Sequence, residues 1–252
     1  MVQEAQEAQE VQEAQWFQVG SEGEKKAQKI AEEQEAARGP SRFWLKPGKS
    51  AKLTFLDTMG FYLTEHNLQI GGKFFNFFTC RADFSECPLC EAGHGKSYVA
   101  IYTVIDHSTF VSKKTGKEYK NTKKLLVAKK AVQTKLARRR ESLDGDLTHA
   151  VFSFSRDASK ECSTGEDIEV IKRLTKEDVL SFKPAGMSDE DWLAPFDYRE
   201  LFAPKSVEEL RRLVGQAAPV GSNDSAGGDA HPFSIGADVT TLGENQAIEA
   251  LL

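Results

Sequence analysis

The chain has 252 residues, of which 40% are hydrophobic and 28% are charged, and its formal net charge at pH 7 is −5. This composition is typical of a soluble globular protein with a core of moderate size. No stretch approaches the roughly 18 consecutive apolar residues of a membrane-spanning helix, which excludes a membrane protein of that kind. Because the Glu/Gln-rich residues 1–15 lack the basic and then apolar order of a signal peptide, we expect a cytoplasmic protein.

The small net charge hides a strong segregation of charge along the chain. Residues 40–140 carry 19 basic and 7 acidic groups, whereas residues 1–39 carry 4 and 9, and residues 184–252 carry 4 and 12. A basic middle between acidic ends is typical of a folded region that binds a polyanion and of tails with other partners. A merely solvated charged surface is the alternative, but the size of the basic excess favours a polyanion.

Residues 1–39 are of low complexity and predict an acidic, Gln/Glu-rich arm. Four imperfect Gln-Glu-Ala repeats occupy residues 3–14. Such a composition supports solvated helix but supplies too few apolar side chains to bury a core. We therefore predict a disordered arm with nascent helix, interrupted near Gly20 and Gly23 and ended before Pro40.

Residues 40–175 have the alternation and the β-branched composition of strands. Residues 51–56 alternate after a Pro-Gly turn, and residues 98–106 form a nearly continuous β-branched and aromatic run that predicts a central strand. The other predicted elements are strands at residues 61–66, 73–79, 124–127, 149–156 and 168–174, a long basic hairpin at residues 107–120 and a basic helix at residues 131–141. The region predicts one mainly β domain.

The remainder of the chain predicts a small helical appendage at residues 176–216 and an acidic flexible tail at residues 217–252. Ser188 and Ser206 each precede an acidic residue by three positions, the spacing of a capping box at a helix start. The last segment is rich in Gly, Ser and Asp, a composition that does not build a packed core.

Three of the four cysteines lie within eleven positions, which favours a metal site over a disulfide framework. Cys87 and Cys90 have the spacing at which a tight turn brings two sulfurs onto one zinc ion, and Cys80 is the third candidate ligand. His66 and His94 are the candidates for the fourth. We favour His66, because it ends a predicted strand that can lie beside the strand ending at Cys80. Four protein ligands leave no open position, so this zinc would be structural.

Other interpretations of the cysteines fit less well. A zinc deaminase needs His-x-Glu and a Pro before the Cys-x-x-Cys pair, whereas His66 is followed by Asn and Leu, and Pro88 lies inside the pair. A glutaredoxin-like redox pair needs a βαβ unit, whereas strands alone precede Cys87. An unmetallated set of buried thiols remains an alternative, and Cys162 is too distant for a spacing argument and is expected to be a structural thiol.

Basic and aromatic residues are mixed in the central region, the combination that holds single-stranded nucleic acid through phosphates and stacked bases. Residues 73–78 put aromatic rings on both faces of one strand, so a core cannot take every ring, although most central aromatics are expected there. The rings predicted at the binding surface are Phe75, Phe77, Tyr98, Phe110 and Tyr119. The predicted phosphate contacts are Lys73, Arg81, Lys96, Lys113, Lys114, Lys117, Lys120, Lys123, Lys124, Arg138, Arg139 and Arg140.

Sequence motifs for duplex recognition and for phosphate chemistry are absent. There is no recognition-helix arrangement and no tandem finger. There is also no Gly-x-x-x-x-Gly-Lys-Ser/Thr motif, and the basic region has no acidic cluster to hold two magnesium ions. We therefore predict binding without catalysis, and not an enzyme.

The order His66, Cys80, Cys87, Cys90 within a basic, aromatic, strand-rich region followed by an acidic tail resembles the single-stranded DNA-binding proteins of T-even-type and related tailed phages. Residues 42–48 (RFWLKPG) and the segments CPLCE and TVID at residues 87–91 and 103–106 are similar to stretches of such phage replication proteins. The resemblance covers roughly residues 40–175.

The resemblance implies a fold, a cofactor and partners. The fold would be mainly β with small helical additions: an OB-fold barrel with a zinc subdomain at about residues 61–97, between disordered N- and C-terminal tails. His66, Cys80, Cys87 and Cys90 would bind one structural zinc ion. The groove would bind single-stranded DNA, neighbouring molecules would associate on it, and the acidic tail would recruit replication and recombination proteins in the cytoplasm of the host cell.

Two functions from different classes are therefore predicted. The first is sequence-independent binding and protection of single-stranded DNA in phage replication, recombination and repair. The alternative is a phage-encoded protein-interaction factor that modulates transcription or replication through the zinc knuckle.

Overall fold

The structure describes five segments of the chain. The structure, a computed structural model, describes residues 20–36, 39–70, 73–112, 116–158 and 167–217, with side chains except at residues 31–36 and 73–75. The chain divides into two units, one of residues 1–39 and 114–116 and one of the remaining residues. The predicted C-terminal tail after Ala217, the start of the predicted arm and Cys162 lie outside the described residues.

In the first unit, helix α1 (Gly20–Ala36) is a single uninterrupted helix. It begins at Gly20, whose φ of 65° lies in the left-handed region, and it continues through Gly23. The predicted interruption at Gly23 is therefore wrong. One glycine costs a helix about 1 kcal/mol relative to alanine, and the surrounding Glu, Lys, Gln and Ala residues are good helix formers.

In the second unit, strands dominate up to residue 173. They are β1 (Ser50–Phe55), β2 (Phe61–Ile70), β3 (Lys73–Thr79), β4 (Lys96–Asp106), β5 (Phe110–Val111), β6 (Glu118–Tyr119), β7 (Thr122–Ala128), β8 (Ala150–Ser155) and β9 (Asp167–Arg173). The helices of this unit are α2 (Pro88–Glu91), α3 (Lys130–Glu141), α4 (Lys176–Ser181), α5 (Asp189–Leu193), α6 (Tyr198–Leu201) and α7 (Val207–Val214). The predicted strands and the basic helix are confirmed, with shifts of a few residues at their ends.

The main sheet has seven antiparallel strands in the order β3-β2-β4-β1-β8-β9, and β7 pairs with β4 on its other edge. The strand β4 is eleven residues long, so β2 pairs with its first half and β1 with its last three residues along one edge. Its residues from Val99 to Asp106 are buried on both faces. The prediction of a central strand is confirmed.

Two layers of apolar side chains cover the two faces of β4. On one face, Tyr102 and Val104 pack with rings from β1 and β8 and with Leu136 of α3. On the other face, Ile101 and Ile105 pack towards the C-terminal helices. Burial on both faces explains why this strand lacks the apolar and polar alternation of a half-exposed strand.

The C-terminal helices are part of the sheet-containing unit. The predicted N-caps are confirmed, since Ser188 and Ser206 accept hydrogen bonds from the backbone N–H groups of Asp191 and Glu209. Trp192 is buried, and its Nε1 donates to the carbonyl oxygen of Val179 at 2.8 Å. No described helix has the length and apolar character to cross a bilayer.

The described strands form an open sheet and not a closed barrel. Hydrogen-bonded ladders end at β3, β7 and β9, and none of the ladders between described strands joins β9 to β3 or β7. A short parallel bridge between Arg42 and Leu125 adds the entering chain beside β7. A mostly antiparallel sheet with several helices is thus confirmed, and the OB-fold barrel stays a prediction.

A buried polar network joins β1 and β4 to the C-terminal helices. The hydroxyl of Tyr198 and the backbone N–H of Thr103 both donate to Oδ2 of Asp57, and the backbone N–H of Phe196 donates to Oγ1 of Thr103 at 3.0 Å. The pKa of Asp57 is raised to about 6. Burial is the largest cause and raises it, while the hydrogen bonds from Tyr198 and Thr103 and the charge of Lys123 offset part of this rise.

The raised pKa of Asp57 predicts a pH dependence of stability. The folded state keeps a proton that the unfolded state loses between about pH 4 and pH 6, so this group's contribution to the free energy of unfolding falls as the pH rises through that window. In the D57N variant this fall should vanish. Between about pH 5.5 and 7.5 we expect the free energy of unfolding to fall by about 1 kcal/mol more in the wild type than in D57N.

Urea denaturation followed by tryptophan fluorescence at both pH values measures this difference. An identical pH dependence of the two proteins would show that Asp57 is already ionised in the folded state at the lower pH.

Candidate metal centre and nucleic-acid interface

Four side chains from three elements meet in one cluster with the donor set of a metal site. The ligand atoms of His66, Cys80, Cys87 and Cys90 all lie within 4.8 Å of one another. The sulfur of Cys80 is 3.9 Å from that of Cys87 and 3.6 Å from that of Cys90, and Nε2 of His66 is 3.6 and 3.5 Å from the sulfurs of Cys87 and Cys90. The cluster could hold one metal ion.

These separations fit tetrahedral coordination. Bond lengths of about 2.3 Å to sulfur and 2.0 Å to nitrogen at tetrahedral angles put sulfurs about 3.8 Å apart and nitrogen about 3.5 Å from sulfur. The observed sulfur–sulfur and nitrogen–sulfur distances are close to these two values. Because the protein supplies all four donors, an ion at the centre would have no free coordination position. This geometry suits a structural ion and not one that activates water.

Local backbone structure delivers each ligand. His66 is in β2, and Cys80 directly follows β3, which pairs with β2 so that His66 lies opposite Phe78. The N–H of Cys80 donates to the carbonyl oxygen of Thr64 at 2.8 Å, which extends this pairing to the ligand itself. Cys87 is the N-cap of α2, and Pro88 at the first helical position starts the turn that brings Cys90 to the same side.

The protonation of His66 suits metal binding. Its Nδ1 lies 3.1 Å from the carbonyl oxygen of Gly95, which can only accept, so Nδ1 donates its proton and Nε2 faces the sulfurs with a lone pair. Burial lowers the pKa of His66, although the hydrogen bond with Gly95 raises it. The imidazole is therefore neutral at neutral pH, as a ligand must be.

His94, the alternative fourth ligand, is outside the cluster. Its backbone N–H donates to the carbonyl oxygen of Leu89 and closes the turn after α2. Among the described residues, the group that could hold a metal contains His66 and not His94. The strand pairing that favoured His66 in the sequence is the feature that brings it to the cysteines.

The segment before and within α7 packs against the metal cluster. Leu210 is buried against Leu68, Leu89 and two of the cysteines, together with Leu213 and Val214. The residues beside the ligands also bind this segment. The hydroxyl of Thr79 donates to the carbonyl oxygen of Phe202 at 2.7 Å, the guanidinium of Arg81 donates to that of Lys205 at 2.8 Å, and Glu86 forms an ion pair with Arg211 at 3.2 Å.

An exposed tyrosine pair lies on the sheet beside this cluster. Tyr98 of β4 is 60% exposed and Tyr62 of β2 is 45% exposed, and their rings stack at 5.8 Å between centroids with an angle of 19°. Lys96 is two residues before Tyr98 on the same face and pairs with His66. Of these residues, Tyr98 and Lys96 were predicted at the binding surface, and Tyr62 was not.

A second aromatic pair sits on the basic hairpin. The rings of Phe110 and Tyr119 stack at 5.0 Å with an angle of 9°. The ammonium of Lys117 lies 5.6 Å from the centroid of Tyr119, and that of Lys124 lies 5.2 Å from the centroid of Phe110. Four predicted contacts are therefore neighbours here, and Lys120, on the same hairpin, is exposed.

Other predicted contacts hold the fold together. Arg81 binds Lys205 as described, and Lys123 donates to two backbone carbonyls at the end of α5. Phe77 is covered by the guanidinium of Arg42 at 3.6 Å from its centroid. These three side chains are less available to a ligand than the sequence suggested, because tertiary contacts occupy their polar or π faces.

The arginines of α3 lie at its last turn. Arg138 and Arg139 are exposed, and Nε of Arg139 donates to the carbonyl oxygen of Ile168. Burial raises the pKa of Tyr102, and the nearby charge of Arg140 lowers it. The side chains of Lys73, Phe75, Lys113 and Lys114 lie outside the described residues.

Comparisons with protein-family models, with curated proteins and with solved structures found no match for this chain. Inference about function therefore rests on the chain's own residues and geometry.

The first prediction from this site concerns the identity of the four ligands. C87S and H66A should each lower the metal content of the purified protein from about one ion per chain to near zero, because three donors bind far more weakly than four. H94A is the matched control and should keep its ion. Elemental analysis by mass spectrometry measures the ratio, and loss of metal from H94A but not from H66A would assign the fourth ligand to His94.

The second prediction concerns the packing of α7 on the cluster. Chelation should loosen Cys80, Cys87 and the residues beside them, and α7 should then unfold locally. We expect tryptic cleavage after Arg211 or Arg212 to accelerate on chelation, while cleavage within residues 138–140 of α3 stays unchanged as an internal control. Equal rates at Arg211 with and without chelator would show that α7 is held independently of the metal.

Proposed function

We propose that this protein binds single-stranded DNA without sequence preference and protects it during phage DNA replication, recombination and repair. It acts as a binding protein and not as an enzyme, in the cytoplasm of the host cell. The observation that carries the proposal is the exposed stack of Tyr62 and Tyr98 beside Lys96.

Large aromatic rings exposed in a stacked pair are unusual on a protein surface, because burying them would be favourable. Such rings offer faces on which nucleobases stack, at about 1–3 kcal/mol per base. Every base has a π face, so this contact tolerates any sequence. The ammonium of Lys96 supplies a phosphate contact next to the rings.

The hairpin adds a second platform of the same kind. Phe110 and Tyr119 stack on each other, with Lys117 beside Tyr119 and with Lys124, which is ion-paired with Asp106, beside Phe110. This pair lies beyond the C-terminal end of β4, whereas Tyr98 lies near its start. At about 3.4 Å per residue, the eight steps from Tyr98 to Asp106 span roughly 27 Å. We infer that one extended strand of DNA contacts both platforms in an OB-fold-like groove.

The bound ion is proposed to be zinc. Three thiolates and one imidazole in tetrahedral array are the donors that zinc prefers in structural sites. The ion would brace β2, β3 and α2, and β2 carries Tyr62. Its contribution is to hold the platform in shape and not to react with DNA.

The partners follow from the charge pattern. The residues after Ala217 contain five acidic and no basic groups, and we propose that this tail binds replication and recombination proteins. Self-association on DNA through the N-terminal arm is proposed from the resemblance alone.

The tyrosine platform predicts a specific loss of affinity. Y98A should weaken binding of a fluorescent oligo-dT by roughly 5- to 150-fold at about 150 mM salt, the factor that corresponds to one stacked base, and Y62A should act in the same direction. Y98W should retain affinity. F84A is the matched control, since Phe84 is equally exposed at 60% but lies in the loop between Cys80 and Cys87.

Salt dependence and duplex competition test the wider claim. If about four phosphates are neutralised, log K should fall against log salt with a slope of about −3. A slope near zero, or equal indifference to oligo-dT and duplex, would favour a protein-interaction factor that uses the metal centre for protein contacts.

A further inference from the structure

The aromatic pair of the hairpin lies on a short two-stranded ladder. Among the described residues, the ladder between β5 and β6 contains two residue pairs, Phe110 with Tyr119 and Val111 with Glu118, and a backbone hydrogen bond from Ser112 to Lys117 follows them. An isolated ladder of this length is marginal in water. Lys124 of β7 lies over Phe110 from the sheet, and contacts at the base of the hairpin add to the order of the pair.

His107 occupies that base and is bound through both ring nitrogens. It directly follows β4, and its Nδ1 lies 2.8 Å from Oδ1 of Asn121, the residue directly before β7. Its Nε2 lies 2.7 Å from Oγ1 of Thr54 in β1. All three side chains are buried. One imidazole thus joins the two ends of the hairpin to a third strand.

The hydrogen positions follow from the partners. An amide oxygen only accepts, so Nδ1 of His107 donates to Asn121, and Nε2 accepts from the hydroxyl of Thr54. The edge-to-face contact with Phe182, at 4.9 Å between centroids, covers the imidazole. Asn121 has a φ of 52°, a left-handed conformation that asparagine tolerates better than most residues and that presents its side chain to His107.

Charged groups near His107 do not replace these bonds. Asp106 is paired with Lys124 at 2.7 Å, and Lys52 and Lys120 act on the imidazole only through their charge. Burial lowers the pKa of His107, the hydrogen bond with Asn121 and the charge of Asp106 raise it, and the two lysines lower it further. At neutral pH the imidazole is neutral and both hydrogen bonds are intact.

We infer that His107, held by Thr54 and Asn121, is the positioning residue that fixes the Phe110–Tyr119 pair in the orientation in which it receives a nucleobase. This inference rests on the proposed function, since it names the ligand of the pair. Preorganised rings lose less conformational freedom on binding than rings on a swinging hairpin, and the difference is retained as affinity.

The experiment uses the full-length, metal-loaded protein and substitutions at Asn121. N121G removes the bond to His107 while glycine accepts the positive φ, so the backbone keeps its conformation. N121D restores an acceptor for Nδ1 and is the conservative rescue. Two quantities are measured: the rate of tryptic cleavage after Lys117 and Lys120 without DNA, and the affinity for oligo-dT.

The expected result is a difference between these two variants. N121G should be cleaved faster than the wild type and should bind oligo-dT about fivefold more weakly, the factor that corresponds to one net hydrogen bond. N121D should be cleaved at the wild-type rate. In a Y119A background, N121G should cause no further loss of affinity for oligo-dT. The reason is that His107 acts on binding through the Tyr119 ring, which this background lacks.

Other outcomes overturn the inference. Wild-type cleavage and affinity in N121G would show that His107 does not order the hairpin. If the losses of affinity caused by N121G and by Y119A were fully additive, His107 would affect binding by a route other than the Phe110–Tyr119 pair. If the wild type itself does not bind oligo-dT, the proposed function and the assigned ligand are both wrong. The tryptic cleavage rates of the wild type, N121G and N121D then decide by themselves whether His107 orders the hairpin.

Discussion

The register between β2 and β4 is the constraint on which both candidate sites depend. It sets His66 opposite Lys96 and Thr64 opposite Tyr98, so that Tyr62 and Tyr98 become diagonal neighbours on the face that also carries His66. A shift of one residue would turn Tyr62 and His66 to the opposite face and would dissolve both the tyrosine stack and the metal cluster.

The candidate metal cluster packs against the C-terminal helix α7. The cysteines belong to a small apolar core that also contains Leu210 of α7. The residues beside Cys80 and Cys87 bind the segment from residue 202 to residue 211 through hydrogen bonds and an ion pair. An ion coordinated here would lie beside the last described helix. A small apolar core of this kind gains more from a metal than a large one, since it buries little surface of its own.

Buried polar groups connect the sheet to what surrounds it. Asp57 joins β1 to β4 and to Tyr198, and His107 joins β1 to both ends of the hairpin. Each group is costly to bury unless all its hydrogen bonds are made, so each specifies one arrangement of the neighbouring segments. In this way the polar networks determine geometry where apolar packing alone would permit several positions.

The sequence by itself determined the elements and the ligand types. Alternation, β-branched runs and Ser N-caps predict local structure because they depend on neighbours in the chain, and the spacing of Cys87 and Cys90 predicts a turn that can share one ion. Only the tertiary structure decided between His66 and His94, paired Tyr62 with Tyr98 and directed Arg81 and Lys123 into the fold. The reason is physical, since strand register, sheet order and the contacts of long side chains depend on residues far apart in the chain, and local pattern carries no information on which of them meet.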